Sequence, residues 1–146
     1  MANHVRGIVI HPAMVYDRNG GVFDHIFDDA KNLGYVRVIH GENVRWPLIH
    51  RMDLAQVYAL LLEQGKRGDV YNAATNHGVT IGSVTRAIAS RLGIEKDPVI
   101  VDTEAAKGEI AIYTEGYAID QQMSGEKARS KPGWQPRYED LFAEIS

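Results

Sequence analysis

The chain has 146 residues, 45% of them hydrophobic, with 16 Lys and Arg against 19 Asp and Glu, and a net charge of −3 offers no field for gathering a polyanion. That length buries one ordinary core, so a single domain over residues 1–146 is expected, with no nucleic-acid partner. It has no cysteine, no apolar signal core near its start and no run approaching the ~18 apolar residues that span a bilayer, so a cytoplasmic protein without a membrane partner is expected.

Residues 7–15 are mostly apolar, with Ile8, Val9 and Ile10 consecutive, which suits a strand of a parallel sheet, and Pro12 is expected to end its pairing. After Gly20 and Gly21, the residues Phe23, Ile26, Phe27, Ala30 and Leu33 fall at helical spacing, with Gly34 placed to stop the helix. Residues 36–39 read as a short strand and residues 41–48 as a loop. The clearest helix covers residues 52–64, where Leu54, Val57, Tyr58, Leu61 and Leu62 form one apolar stripe that Gly65 closes. Residues 69–73 form a strand, and Thr80 then caps a helix that turns Ile81, Val84, Ile88 and Leu92 inward. Residues 98–101 make another short strand. Across residues 103–122 early Ala, Glu and Lys favour helix while Gly108 and Gly116 interrupt it. A helical turn at residues 124–129 is broken by Lys131, Pro132 and Gly133, and residues 138–145 read as a terminal helix with Leu141 and Ile145 on one face. The alternation predicts an α/β fold, although the sheet is thin for an independent doubly wound domain.

Four stretches carry a resemblance. His11, Pro12, Ala13, Met14, Val15, Tyr16 and Asp17 resemble a strand-end loop of the form Arg-Pro-Ala-x-Val-Tyr-Gly. Ile49, His50, Arg51, Met52, Asp53, Leu54 and Ala55 resemble a strand-to-helix junction of the form Val-His-Val-x-Asp-Leu-Ala. Val70, Tyr71 and Asn72 match a short strand Val-Tyr-Asn, and Pro132 to Pro136 resemble a Leu-Gly-Trp-x-Pro signature. In that order they look like the second half of an NAD(P)-dependent epimerase/dehydratase, of the extended short-chain dehydrogenase family. The first half has no counterpart here: no strand leads into a glycine-rich turn, and none of the seven tyrosines has a lysine four residues later.

The resemblance implies an α/β fold in which a partial Rossmann-like sheet carries the helical substrate-binding subdomain. It implies that NAD or NADP serves the intact family, that this chain alone binds neither, and that it holds no catalytic residue. The backbone of His11, Pro12, Ala13 and Val15 would border the cofactor, while Met14, Tyr16, Trp46, His50 and Arg51 would face a small-molecule substrate. Nucleotide-sugar enzymes of the family usually carry an arginine seven residues before the junction aspartate, where Trp46 stands here, so a smaller or more apolar substrate is preferred. Trp46 Pro47 followed by His50 Arg51 also resembles a bacterial group of family oxidoreductases. The partner is then either a second copy, as a dimer, or a missing nucleotide-binding half; a non-catalytic interaction module is the alternative function.

The residues taken singly leave alternatives open. His11 lines a site or merely bonds backbone at a strand end, and Trp46 is a pocket wall or a core anchor. Asp53 is expected to cap its helix, and Arg51 meets an anion or forms a surface ion pair. His25, Asp28 and Asp29 share a helix face, but a hydrated polar face explains them better than a metal site. No serine lies in a Gly-x-Ser-x-Gly elbow, and no nucleophilic triad is found.

Overall fold

The computed structural model describes residues 5–110 and 113–146. In chain order the elements are β1 (Val9–Pro12), β2 (Met14–Asp17), β3 (Gly20–Gly21), α1 (Asp24–Leu33), β4 (Arg37–Ile39), β5 (Arg45–His50), α2 (Arg51–Gln64), β6 (Val70–Ala73), β7 (Asn76–Thr80), α3 (Ile81–Arg91) and β8 (Val99–Val101), followed by four short helices, α4 (Thr103–Ala106), α5 (Thr114–Tyr117), α6 (Glu126–Ser130) and α7 (Leu141–Ile145). The class is α/β, as expected. Strands β1 and β6 pair in parallel; β3, β2, β5 and β7 form a second sheet; β4 and β8 form a third, also parallel.

The apolar run at residues 7–15 is two strands rather than one. Pro12 has no N–H to continue the ladder, and the chain crosses at Ala13 from β6 to a new partner, Met14 pairing with Leu48 in parallel. The expected loop at residues 41–48 is corrected: its second half begins β5, whose residues from Trp46 to His50 are all buried. Pro47, which has no N–H to give a ladder, falls where the register with β7 shifts between Trp46 and Leu48. Strand β7 went unseen because Asn76, His77 and Gly78 carry no apolar alternation.

Helix α1 ends at Gly34 in the left-handed region, φ 70°, a conformation that costs a side-chain-bearing residue energy. In α2 the five-residue stripe is corrected: Val57 and Leu61 are buried, but Tyr58 is 45% and Leu62 70% exposed. Asp53 shares the buried line with Val57 and Leu61, so the helix has turned an acidic residue inward and two large apolar ones outward. On α3, Ile81, Val84 and Ile88 point inward as expected, whereas Leu92 is exposed and Thr80 bonds Ser83 rather than the helix backbone. Residues 103–122 resolve into α4 and α5, with 111 and 112 outside the described residues, as are residues 1–4 at the start of the chain.

Two cores share β5. Alternation along this strand sends Trp46 and Leu48 into a core with Phe23, Ile26, Val84 and Ile88, and Ile49 into a second core with Val57, Leu61, Tyr71 and Trp134. The second core joins α2 to the β1–β6 pair. Among the described residues no helix is long and apolar enough to cross a membrane.

Candidate functional site

The carboxyl ends of β1 and β6 lie side by side, His11 opposite Asn72 and Pro12 opposite Ala73. In open α/β sheets this end is where ligands bind, because the loops leaving parallel strands diverge there. His11 and Pro12 are exposed, Met14 and Val15 half-buried, and Ala13 is buried with its N–H donating to the Ala73 carbonyl at 2.9 Å. The Val15 carbonyl accepts from Val22 N–H at 2.9 Å. With those two groups engaged within the fold, His11 and Pro12 are the accessible residues at this strand end.

The remaining residues singled out in the sequence separate into three places. Tyr16 and His50 meet edge to face, ring centroids 5.4 Å apart, with both side chains buried. Burial pushes the Tyr16 hydroxyl's pKa up, Asp53, Glu144 and Asp140 adding to it, and the hydroxyl has no hydrogen-bond partner among the described residues. Trp46 is an anchor of the first core, its Nε1 donating to the Tyr117 carbonyl at 2.9 Å. Arg51 is exposed and forms an ion pair with Asp17 at 3.2 Å. The structure therefore brings Met14, Tyr16 and His50 into neighbouring positions of β2 and β5, and leaves Trp46 and Arg51 apart from His11.

The helix junction works differently from the expectation. His50 caps α2, its Nδ1 accepting from Met52 N–H at 3.3 Å. Asp53 is not the cap: its two carboxylate oxygens accept from the backbone N–H groups of Arg137 at 2.8 Å and Tyr138 at 3.1 Å. Tyr138 then stacks on the His50 ring, centroids 3.7 Å apart and 20° from parallel. A cleft of 280 Å³ opens beside them, lined by Met52, Asp53, Ala55, Gln56, Arg137 and Tyr138. Neither Tyr138 nor Arg137 was legible as a site neighbour, because the signal is a backbone contact that leaves no residue pattern.

His25 also differs from a hydrated face. It is buried, stacked on Tyr117 at 5.3 Å and tilted to Trp46 at 6.3 Å, and burial lowers its pKa although Asp29 opposes that shift. Asp29 is held by Arg37 at 2.7 Å, while Asp28 stays exposed. No group of three or more metal-ligating side chains comes together among the described residues.

Strand β1 passes into β2 and β5 passes directly into a helix already capped by His50, so neither strand is followed by a glycine turn of the kind that cradles a pyrophosphate.

No protein-family model matches the chain. An uncharacterised protein of Schizosaccharomyces pombe is 30% identical over 132 residues, which cover 86% of this chain and 44% of that protein. The chain thus spans less than half the length of this curated relative. Among solved structures, a human epimerase family protein with NADPH superposes with a TM-score of 0.77 at 20% identity, over 99% of this chain and 48% of that one. A dTDP-glucose 4,6-dehydratase from Bacillus anthracis in complex with NAD gives 0.69 at 22% identity, over 92% and 42%. The fold is therefore the Rossmann-like α/β fold of short-chain dehydrogenase epimerases. More narrowly, it corresponds to under half of the chain in each of these two solved enzymes.

Proposed function

We propose that this chain is the substrate-side portion of an NAD(P)-dependent epimerase/dehydratase-like oxidoreductase, forming one domain that is not catalytic alone. The observation that carries the reading is the exposed His11 and Pro12 at the shared carboxyl end of the parallel strands β1 and β6. There the backbone of His11, Pro12, Ala13 and Val15 would border the cofactor and Met14 would face the substrate, while Arg51, paired with Asp17, would meet only a part of the substrate that extends away from His11. Tyr16 and His50, buried edge to face, support the neighbouring β2 and β5 positions, and Trp46 anchors the first core. Hydride exchange is the chemistry that a bound nicotinamide would supply there; the chain's own residues would shape the pocket and exclude water from it.

The substrate is a small molecule, more apolar than a sugar nucleotide, because the place of a diphosphate-binding arginine is taken by Trp46, buried and committed to Tyr117. Isothermal titration of the chain with NADH and NADPH tests the reading. Binding weaker than about 1 mM is expected, since the phosphates lack a cradle; a low-micromolar dissociation constant overturns it. A second reading, a non-catalytic module that completes or pairs with another chain, is favoured by the open edge of β1.

A further inference from the structure

Helix α1, strand β4 and the segment after α4 border a cavity of 270 Å³, lined by His25, Asp28, Asp29, Asn32, Arg37 and Glu109. None of these residues belongs to β1, β2, β5 or β6, so the cavity is separate from the strand end at His11. His25 is its informative member. Only 8% of this residue is exposed, and its ring stacks on Tyr117 and lies tilted to Trp46. No N–H or O–H of the described residues donates to either ring nitrogen. Burial favours the neutral imidazole, which always carries one nitrogen that can only accept. A buried acceptor without a donor costs free energy. The ring forms part of the cavity wall, so the cavity is where a donor can come from.

The charge of the cavity selects among ligands. Three carboxylates, those of Asp28, Asp29 and Glu109, line it against the one guanidinium of Arg37. That guanidinium is already committed: Nη2 and Nε bond Asp29 at 2.7 and 3.0 Å, and Nη1 bonds Glu109 at 3.3 Å. An anion would have to displace those carboxylates, whereas a cation meets their excess, to which Asp24 adds at the ring. A metal ion is not that cation, because no group of three or more metal-ligating side chains comes together among the described residues. What remains is a cation that carries its own N–H donors. The volume falls below the ~300 Å³ at which pockets for drug-sized ligands begin, so the ligand is small, and Leu33 and Ile110 offer a short hydrocarbon an apolar edge.

We propose that the cavity beside His25 is a binding site for a small primary amine, whose ammonium group donates to the His25 imidazole and the Asp28 carboxylate while its hydrocarbon lies on Leu33 and Ile110. The site goes beyond the oxidoreductase reading and does not depend on it. Binding is coupled to pH through the groups that face the ring. Asp24 and Asp29 from α1 and the Val22 carbonyl favour its protonation, and Arg37 from β4 opposes it. Asp28 and Glu109 line the cavity around it, and Tyr117 covers one of its faces. A protonated His25 has no acceptor to offer and repels an ammonium, so affinity falls as pH drops through its lowered pKa, below about 6.5.

The test follows the backbone amide shifts of residues 28–37 by NMR during titration with methylammonium and with 1,4-diaminobutane at pH 7.5, ionic strength being held constant with NaCl. Saturation with a dissociation constant of about 1–10 mM is expected, the range open to so few atoms. Asp28→Asn, at an exposed side chain, is expected to weaken binding by about threefold or more. His25→Phe, which keeps a ring against Tyr117, is expected to weaken it by about tenfold or more. Lowering the pH to 5.5 weakens binding to the parent and not to His25→Phe; should that variant not fold, Asp28→Asn and the parent pH series decide alone. Shifts that never saturate, or that NaCl alone reproduces, mean a hydrated cavity only and overturn the proposal. So does binding that Asp28→Asn leaves unchanged, or tetramethylammonium, which has no N–H, binding as well as methylammonium. Saturation of the same amides by acetate or by zinc but not by the amines also overturns it, reassigning the cavity to an anion or a metal.

Discussion

Asp53 on α2 accepts a hydrogen bond from the backbone N–H of Arg137 at 2.8 Å, although 84 residues separate them. With the second bond, to Tyr138, a single buried carboxylate ties the C-terminal segment to the helix that follows β5. Hydrogen bonds to a charged acceptor contribute about 1.5–3 kcal/mol each, so Asp53→Ala is expected to cost about 3 kcal/mol or more and to leave two N–H groups without a partner. Asp53→Asn retains one carbonyl oxygen and is expected to lose roughly half as much. Urea midpoints measure both; equal midpoints for Asp53→Ala and the parent would show the contact to be idle.

Leu61 and Leu62 are neighbours in sequence with opposite fates, 1% and 70% exposed. Leu61→Ala opens a cavity in the second core and is expected to destabilise by about 2–5 kcal/mol, whereas Leu62→Ala in the isolated chain stays within about 0.5 kcal/mol. Denaturant midpoints that moved alike would place the buried face of α2 elsewhere.

The periodicity at residues 52–64 made the helix legible but not which apolar residues it hides. Five apolar positions form a stripe wider than the contact available, and the helix resolves the excess by rotating Asp53 inward to meet Arg137 and Tyr138. Similarly, residues 41–48 read as a loop although their second half begins a strand buried from Trp46 to His50; Pro47 sits there at a register shift that depends on β7 and leaves no local trace. What could be read early was local: Gly34 as a helix stop, Leu141 and Ile145 on one face, Pro12 as the end of β1. Of the candidate site, His11 and Pro12 were visible because a strand end is a sequence feature. The stacking of Tyr138 on His50 was not, because it requires the chain to return from far downstream.

The buried His25 makes stability depend on pH. Desolvation between Tyr117 and Trp46 lowers its pKa, and Arg37 acts in the same direction; Asp29, a backbone hydrogen bond at Val22, and Asp24 oppose them. With the folded value below the unfolded value of about 6.5, the unfolded chain binds the extra proton first, so stability is full above that value and falls as pH drops through it. Urea midpoints from pH 8 to 5 are expected to decline, and His25→Phe, which keeps an aromatic ring against Tyr117, to flatten that decline. A parent curve rising toward pH 5 would contradict the assignment.

Two glycines are expected to respond to alanine with opposite signs. Gly125 precedes α6 and lies against Ala74, where an added Cβ would run into the backbone carbonyl, a group that cannot swing aside as a side-chain end does. Either β6 with its Ala73–Ala74 end or the segment carrying Met123 and Trp134 must then shift, and both contribute to the second core, so Gly125→Ala is expected to destabilise by about 1–3 kcal/mol or more. Gly116 in α5 has no atom within 4 Å of an added Cβ, and alanine there removes unfolded-state freedom without a clash. Gly116→Ala is expected to be neutral or to stabilise by up to about 1 kcal/mol. Thermal melts of the two variants check this together: a Gly125→Ala protein as stable as its parent would mean that α6 does not seat against Ala74, and would loosen the placement of Trp134 with it.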